Sequence, residues 1–150
     1  MNLTNYFWYF QSAIPERICD LIVRYGKSEK QKEHTAITGG YGRDRDLNKQ
    51  PLTKEELNDI KRKRDSNIVW MSDRWIYKEI QPYVHMANKS AGWNYEWDWS
   101  ENCQFTIYRK GQYYDWHCDS WDKPYATKDN SNGKIRKLSV TVSLTDPKEY

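Results

Sequence analysis

The sequence predicts an α+β domain in which N-terminal helices pack on an antiparallel sheet. Two patterns and one length predict it. Apolar residues recur at helical spacing early in the chain, as Ile18, Leu21, Ile22 and Tyr25, and again as Ile76, Ile80, Val84 and Ala87. From Trp93 onward the period changes to two, in WNYEWDW (Trp93 to Trp99) and in RKLSVTVSLT (Arg136 to Thr145). The 150 residues suit one domain with a sizeable core. We therefore divide a single domain, 1–150, into a helical support region (1–92) and a strand region (93–150).

The elements follow in order. Asn5 to Gln11 is aromatic and predicts a first strand. Pro15 opens a helix at a favoured N-terminal position and Gly26 stops it. Lys27 to Asn48 is polar, with Gly39, Gly40 and Gly42 as breakers, and predicts a long loop or an irregular strand pair. Thr53-Lys54-Glu55-Glu56 is a capping-box pattern that starts a short helix towards Lys63, and Ser66 to Met71 follows as a strand. Asp73 to about Ser90 is the clearest helix, although Pro82 inside it should kink it or begin a second segment. Trp93 to Trp99 reads as a half-buried strand. Gln104 to Tyr108 and Gln112 to His117 read as strands joined by a hairpin-like turn at Arg109-Lys110-Gly111. Trp121 to Gly133 is a polar loop, and Arg136 to Thr145 is a β-branched strand.

Composition narrows the function classes. Lys and Arg number 24 against 21 Asp and Glu, so the net charge of +3 is too mild to argue for nucleic acid. The one basic run, KRKR (Lys61 to Arg64), ends a helix and reads as a solvated face. The three scattered cysteines (Cys19, Cys103, Cys118) fit no disulfide framework or zinc-finger spacing, which suits a reducing compartment. No basic-apolar leader opens the chain, and no run approaches the roughly 20 apolar residues of a membrane span. The expectation is a cytoplasmic protein with neither nucleic-acid nor membrane partners, of undetermined oligomeric state. Tyr (12) and Trp (8) far outnumber Phe (3); their polar tips suit a half-wet sheet surface or a groove for a polar ligand, as well as plain strand propensity.

The chemistry concentrates in Gln104 to Asp119, QFTIYRKGQYYDWHCD. On a strand, residues two apart share a face, so His117 and Asp119 can grip one metal while Cys118 points away. That supplies two-thirds of the two-His-one-carboxylate triad of non-haem Fe(II) oxygenases. Gln104, Thr106 and Tyr108 also share a face, so an amide and a phenol can look into the same pocket. A zinc site built from His117, Cys118 and Asp119 is disfavoured, because adjacent strand residues cannot all face one ion.

With Gln104, Tyr108, Gly111, His117 and Asp119 in place, the segment resembles the start of the catalytic core of the prolyl 4-hydroxylase-like 2-oxoglutarate/Fe(II) dioxygenases, in a bacterial and phage branch. PERICDLI resembles that family's N-terminal helix, and GKIRKLSVTVSLTDPKEY resembles the strand after the metal motif. The resemblance implies a double-stranded β-helix (jelly-roll or cupin-like) core, of which residues 93–150 would be the first strands. It implies that His117 and Asp119 ligate Fe(II), that Tyr108 donates its phenol to a 2-oxoglutarate carboxylate and that Gln104 lines the same pocket. Tyr114 and Arg136 match positions facing the substrate, a peptidyl (including prolyl) group or a small molecule. The implied reaction uses O2 and 2-oxoglutarate, releases succinate and CO2, and can draw on ascorbate as a reductant. Read on their own, Tyr108 and Tyr114 are equally half-buried strand tyrosines, and Arg136 a solvated strand end.

The resemblance also implies a distal His and, further on, a Lys or Arg for the oxoacid carboxylate, both expected to fall beyond Tyr150. His34 and His85 precede the motif and read as surface or structural histidines. About half of the eight strands of a double-stranded β-helix are present, so the expectation is a C-terminally truncated dioxygenase, inactive in this form. The competing expectation is a non-catalytic module whose iron site has decayed and whose aromatic groove binds a peptide or an assembly partner.

Overall fold

The computed structural model describes residues 3–38, 50–120, 122–127, 129–146 and 148. It is an α+β chain with three helices and small antiparallel sheets. Its elements are α1 (Glu16–Gly26), β1 (His34–Thr35), α2 (Lys54–Lys63), β2 (Arg64–Asp65), β3 (Asn67–Met71), α3 (Arg74–Ser90), β4 (Cys103–Ile107) and β5 (Tyr113–Tyr114). Among the described residues, no helix is long and apolar enough to cross a membrane. The breakers Gly39, Gly40 and Gly42 lie outside the described residues. The chain divides into two compact units: Met1–Gln31 with Met71–Cys103 and Leu138–Tyr150, and Lys32–Trp70 with Gln104–Lys137.

In the first unit, α1 begins after Pro15, whose carbonyl accepts from the Ile18 and Cys19 N–H groups, and it buries Ile18 and Ile22 on one face. Tyr25 near its end donates to Asp73 at 2.8 Å and meets Trp75 edge-on at 5.7 Å, tying α1 to the start of α3. Helix α3 runs unbroken through Pro82, so no second segment forms, although Pro82 has no N–H to offer the Lys78 carbonyl. The strand expected at Asn5–Gln11 is absent: Leu3–Asn5 is a single 3-10 turn, and Phe10 packs edge-on against Tyr83 at 5.3 Å. The strand expected at Trp93–Trp99 is also absent. Asn88, buried on α3, holds the Tyr95 backbone from both sides, donating to its carbonyl at 2.9 Å and accepting from its N–H at 3.0 Å. Asn94 meanwhile turns left-handed at φ 51°, so the backbone groups a ladder needs are spent locally.

In the second unit, the Thr53 hydroxyl accepts from the Glu56 N–H at 3.2 Å and the Glu56 carboxylate accepts from the Thr53 N–H at 2.8 Å, a complete capping box on α2. Helix α2 ends at Arg64, which turns extended and enters β2. β2 pairs antiparallel with β5, Arg64 opposite Tyr114 and Asp65 opposite Tyr113. β3 lies between β1 and β4, with His34 opposite Ile68 and Thr35 opposite Asn67 in the β1–β3 ladder. The core of this unit is Ala36, Ile60, Ile68, Val69, Phe105 and Tyr125.

The turn after β4 forms where expected, with Gly111 at φ 81° and the Gln112 N–H donating to the Arg109 carbonyl at 2.9 Å. It does not make a hairpin, because β4 pairs within the sheet of β3 while β5 pairs with β2. The Gln112 side chain fixes this divergence: its oxygen accepts from the Arg109 N–H at 2.7 Å and its amide donates to Asp65 and Asn67. The expected strand Gln112–His117 is thereby shortened to Tyr113–Tyr114. Arg136 to Thr145 joins no ladder among the described residues, although its sequence alternates as a strand would.

Candidate metal centre

The two expected metal ligands sit on an irregular segment just past β5, not on a strand. They converge nonetheless: His117 Nε2 lies 3.2 Å from Asp119 Oδ1, with the side chains 36% and 45% exposed. One local and one long-range bond bring this about. The Asp115 side chain accepts from the Trp116 N–H at 2.8 Å, and the Asp115 N–H donates to the Lys63 carbonyl at 2.9 Å. The bend that follows carries the His117 ring back onto Tyr114. Their rings stack at 3.6 Å between centroids and 13° between planes. Arg136 Nη1 donates to the Asp119 carbonyl at 2.6 Å, and Ser120 Oγ donates to the Arg136 carbonyl at 2.8 Å, so Arg136 and the Asp119 backbone are laced together.

The decisive contact is His117 Nδ1 to the Asp115 carbonyl oxygen at 2.8 Å. A carbonyl can only accept, so Nδ1 carries the proton. In the neutral imidazole, Nε2 then presents a bare lone pair towards a carboxylate oxygen. Two lone pairs at that range repel unless a positive centre lies between them, either a second ring proton or a metal ion. With metal–ligand bonds of about 2.1 Å, adjacent octahedral ligands stand roughly 3.0 Å apart and tetrahedral ones roughly 3.4 Å apart. The observed separation falls between these and admits either geometry.

Among the described residues, no third His, Cys, Asp or Glu completes a cluster with this pair. His34 is exposed in β1, and His85 is exposed on α3, stacked on Trp97 at 4.5 Å. Cys118 is an exposed free thiol. Gln104 and Thr106 do share a face of β4, the amide donating to the hydroxyl at 3.1 Å. Tyr108, just past β4, is exposed, and its hydroxyl makes no hydrogen bond among the described residues. Among the described residues, Tyr114, Asp115 and Arg136 contact His117 or the Asp119 backbone.

One residue of this neighbourhood escapes a reading of the basic run. Lys61, Arg62 and Lys63 are solvated as expected, but Arg64 is buried, 5% exposed. Its guanidinium carbon lies 4.4 Å from the Tyr114 ring centroid, and its Nε donates to Ser66 Oγ at 2.7 Å. At these distances Arg64 and His117 cannot share one face of the ring, so Tyr114 is sandwiched between them. A cation over an aromatic face contributes about 0.5–2 kcal/mol. Taking an ion out of water costs several kcal/mol, so the ring offsets only part of the penalty. The signal was present in the alternation: Arg64, Ser66 and Ile68 are all buried and stand two apart.

No family model, curated protein or solved structure matches the chain. The chemistry of the site therefore rests on its own residues.

Proposed function

We propose that His117 and Asp119 hold a divalent metal ion as two of the three protein ligands of a 2-oxoglutarate/Fe(II)-dependent dioxygenase site. The observation that carries this reading is the Nδ1 contact with the Asp115 carbonyl, which turns the Nε2 lone pair towards Asp119. A backbone carbonyl behind a ligating histidine is the usual way its tautomer and ring orientation are fixed. The sequence pattern from Gln104 to Asp119 supplies the rest of the reading, including the opening strands of a double-stranded β-helix. Fe(II) bound here would supply O2 activation coupled to decarboxylation of 2-oxoglutarate to succinate and CO2.

The chain's own residues orient the ion. Tyr114 stacks on the imidazole and Arg136 anchors the Asp119 backbone, so both act as positioning residues whether or not they also face a peptidyl or small-molecule substrate. Tyr108 and Gln104 are the proposed oxoacid contacts. The exposed Tyr108 phenol has room to turn towards a ligand, and Gln104 would exchange its Thr106 bond for one.

A second reading, a non-catalytic module with a decayed site, is favoured by the two-ligand count among the described residues. Anaerobic titration separates the two. An Fe(II)–oxoacid chelate gives a visible charge-transfer band, expected for the wild-type chain with Fe(II) and 2-oxoglutarate and lost in His117→Ala. Metal binding without that band supports the decayed module. No metal binding at all overturns the dioxygenase reading and leaves the decayed module. A succinate yield from this chain alone would overturn the expectation that it is inactive in this form.

A further inference from the structure

We infer that Arg64 forms a buried receptor for the carboxylate of a small acid, on the face of Tyr114 opposite His117. One orphaned group carries the inference: Arg64 is 5% exposed, and its Nη2 is buried without a hydrogen-bond partner. Buried polar groups are almost always satisfied and buried charges paired, so this guanidinium marks a place where a partner belongs.

The chemistry of the partner follows from what surrounds the guanidinium. One flat face is covered by Tyr114 and its Nε is taken by Ser66, which leaves the in-plane Nη edge. A carboxylate matches that edge in geometry, accepting two parallel bonds. It also matches in charge. No carboxylate side chain pairs with Arg64 among the described residues, and a single negative charge neutralises a single guanidinium. A phosphate dianion would leave one charge buried and uncompensated. The site does not depend on the metal reading, since none of its groups is a proposed ligand.

The test is thermal unfolding of the full chain in metal-free, low-salt buffer, titrated with acetate, succinate or phosphate. Wild type should gain melting temperature in a saturable way with either carboxylate and less with phosphate. Arg64→Met should be at least as stable as wild type without added acid, because it removes an unpaired buried cation, and should not respond to acetate. Identical acetate responses in the two proteins overturn the proposal. An equal or larger response to phosphate overturns the assignment to a carboxylate. Should Arg64→Met fail to fold, acetate titration of the wild-type chain followed by the arginine side-chain N–H resonances decides. A shifted Nη signal supports the site, and unmoved signals overturn it.

Discussion

Replacing one ligand of the His117–Asp119 pair should reduce divalent metal affinity by about two orders of magnitude. The estimate starts from closed zinc sites, where four ligands supply about 10–16 kcal/mol, or roughly 2.5–4 kcal/mol each. Two ligands then give about 5 kcal/mol at the low end, a Kd of about 0.2 mM. The low end is appropriate because both side chains are more than a third exposed, so their charges are partly screened. Preorganisation works in the other direction: the Asp115 carbonyl, the Tyr114 ring and Arg136 already hold the ligands 3.2 Å apart, so little side-chain freedom remains to be lost. His117→Ala or Asp119→Ala should leave roughly 2.5 kcal/mol and a Kd on the order of 10 mM. Isothermal titration calorimetry with Co(II) or anaerobic Fe(II) reads this directly. Unchanged affinity in both variants would refute the reasoning. So would a wild-type Kd in the nanomolar range, since that needs a fuller ligand set than these two residues provide.

Three further outcomes are expected. Tyr114→Ala should weaken metal binding about 3- to 10-fold by removing a ring stack of about 0.5–1.5 kcal/mol, while Tyr114→Phe should bind as wild type; calorimetry separates stacking from any role of the hydroxyl. Thr53→Ala should cost about 1 kcal/mol in urea unfolding, because it opens the capping box of α2, and Thr53→Ser should recover most of that loss. Cys103 should alkylate more slowly than the exposed Cys118 under native conditions, read by peptide mass spectrometry. Burial raises the Cys103 thiol above its ordinary range, with a hydrogen bond to Tyr77 opposing in part. The unfolded thiol therefore releases its proton first as pH rises. The Cys103 contribution to stability is intact below the ordinary thiol range and declines as pH climbs through it towards the raised value.

The helices of this protein were legible because their signals are local. Pro15 before Ile18 and Ile22, the Thr53–Glu56 box and the run from Ile76 to Ala87 each lie within a few turns of chain, and α1, α2 and α3 form there. Strand alternation is local as well, but a strand exists only when a partner offers its backbone. Trp93–Trp99 alternates and forms none, because Asn88 captures the Tyr95 backbone first. Gln112–His117 keeps only the two residues that β2, some fifty positions earlier, can pair. The candidate site divides in the same way. The sequence alone determined the pairing of His117 with Asp119, a spacing of two that brings an imidazole and a carboxylate together even off a strand. Tertiary structure decided what surrounds that pair: the Arg64–Tyr114–His117 stack, the carbonyl that fixes the His117 tautomer and the orphaned guanidinium. The stack and the guanidinium depend on contacts about fifty residues apart, and the tautomer on the bend that β2–β5 pairing sets up; no local pattern encodes where a distant backbone will bring them together.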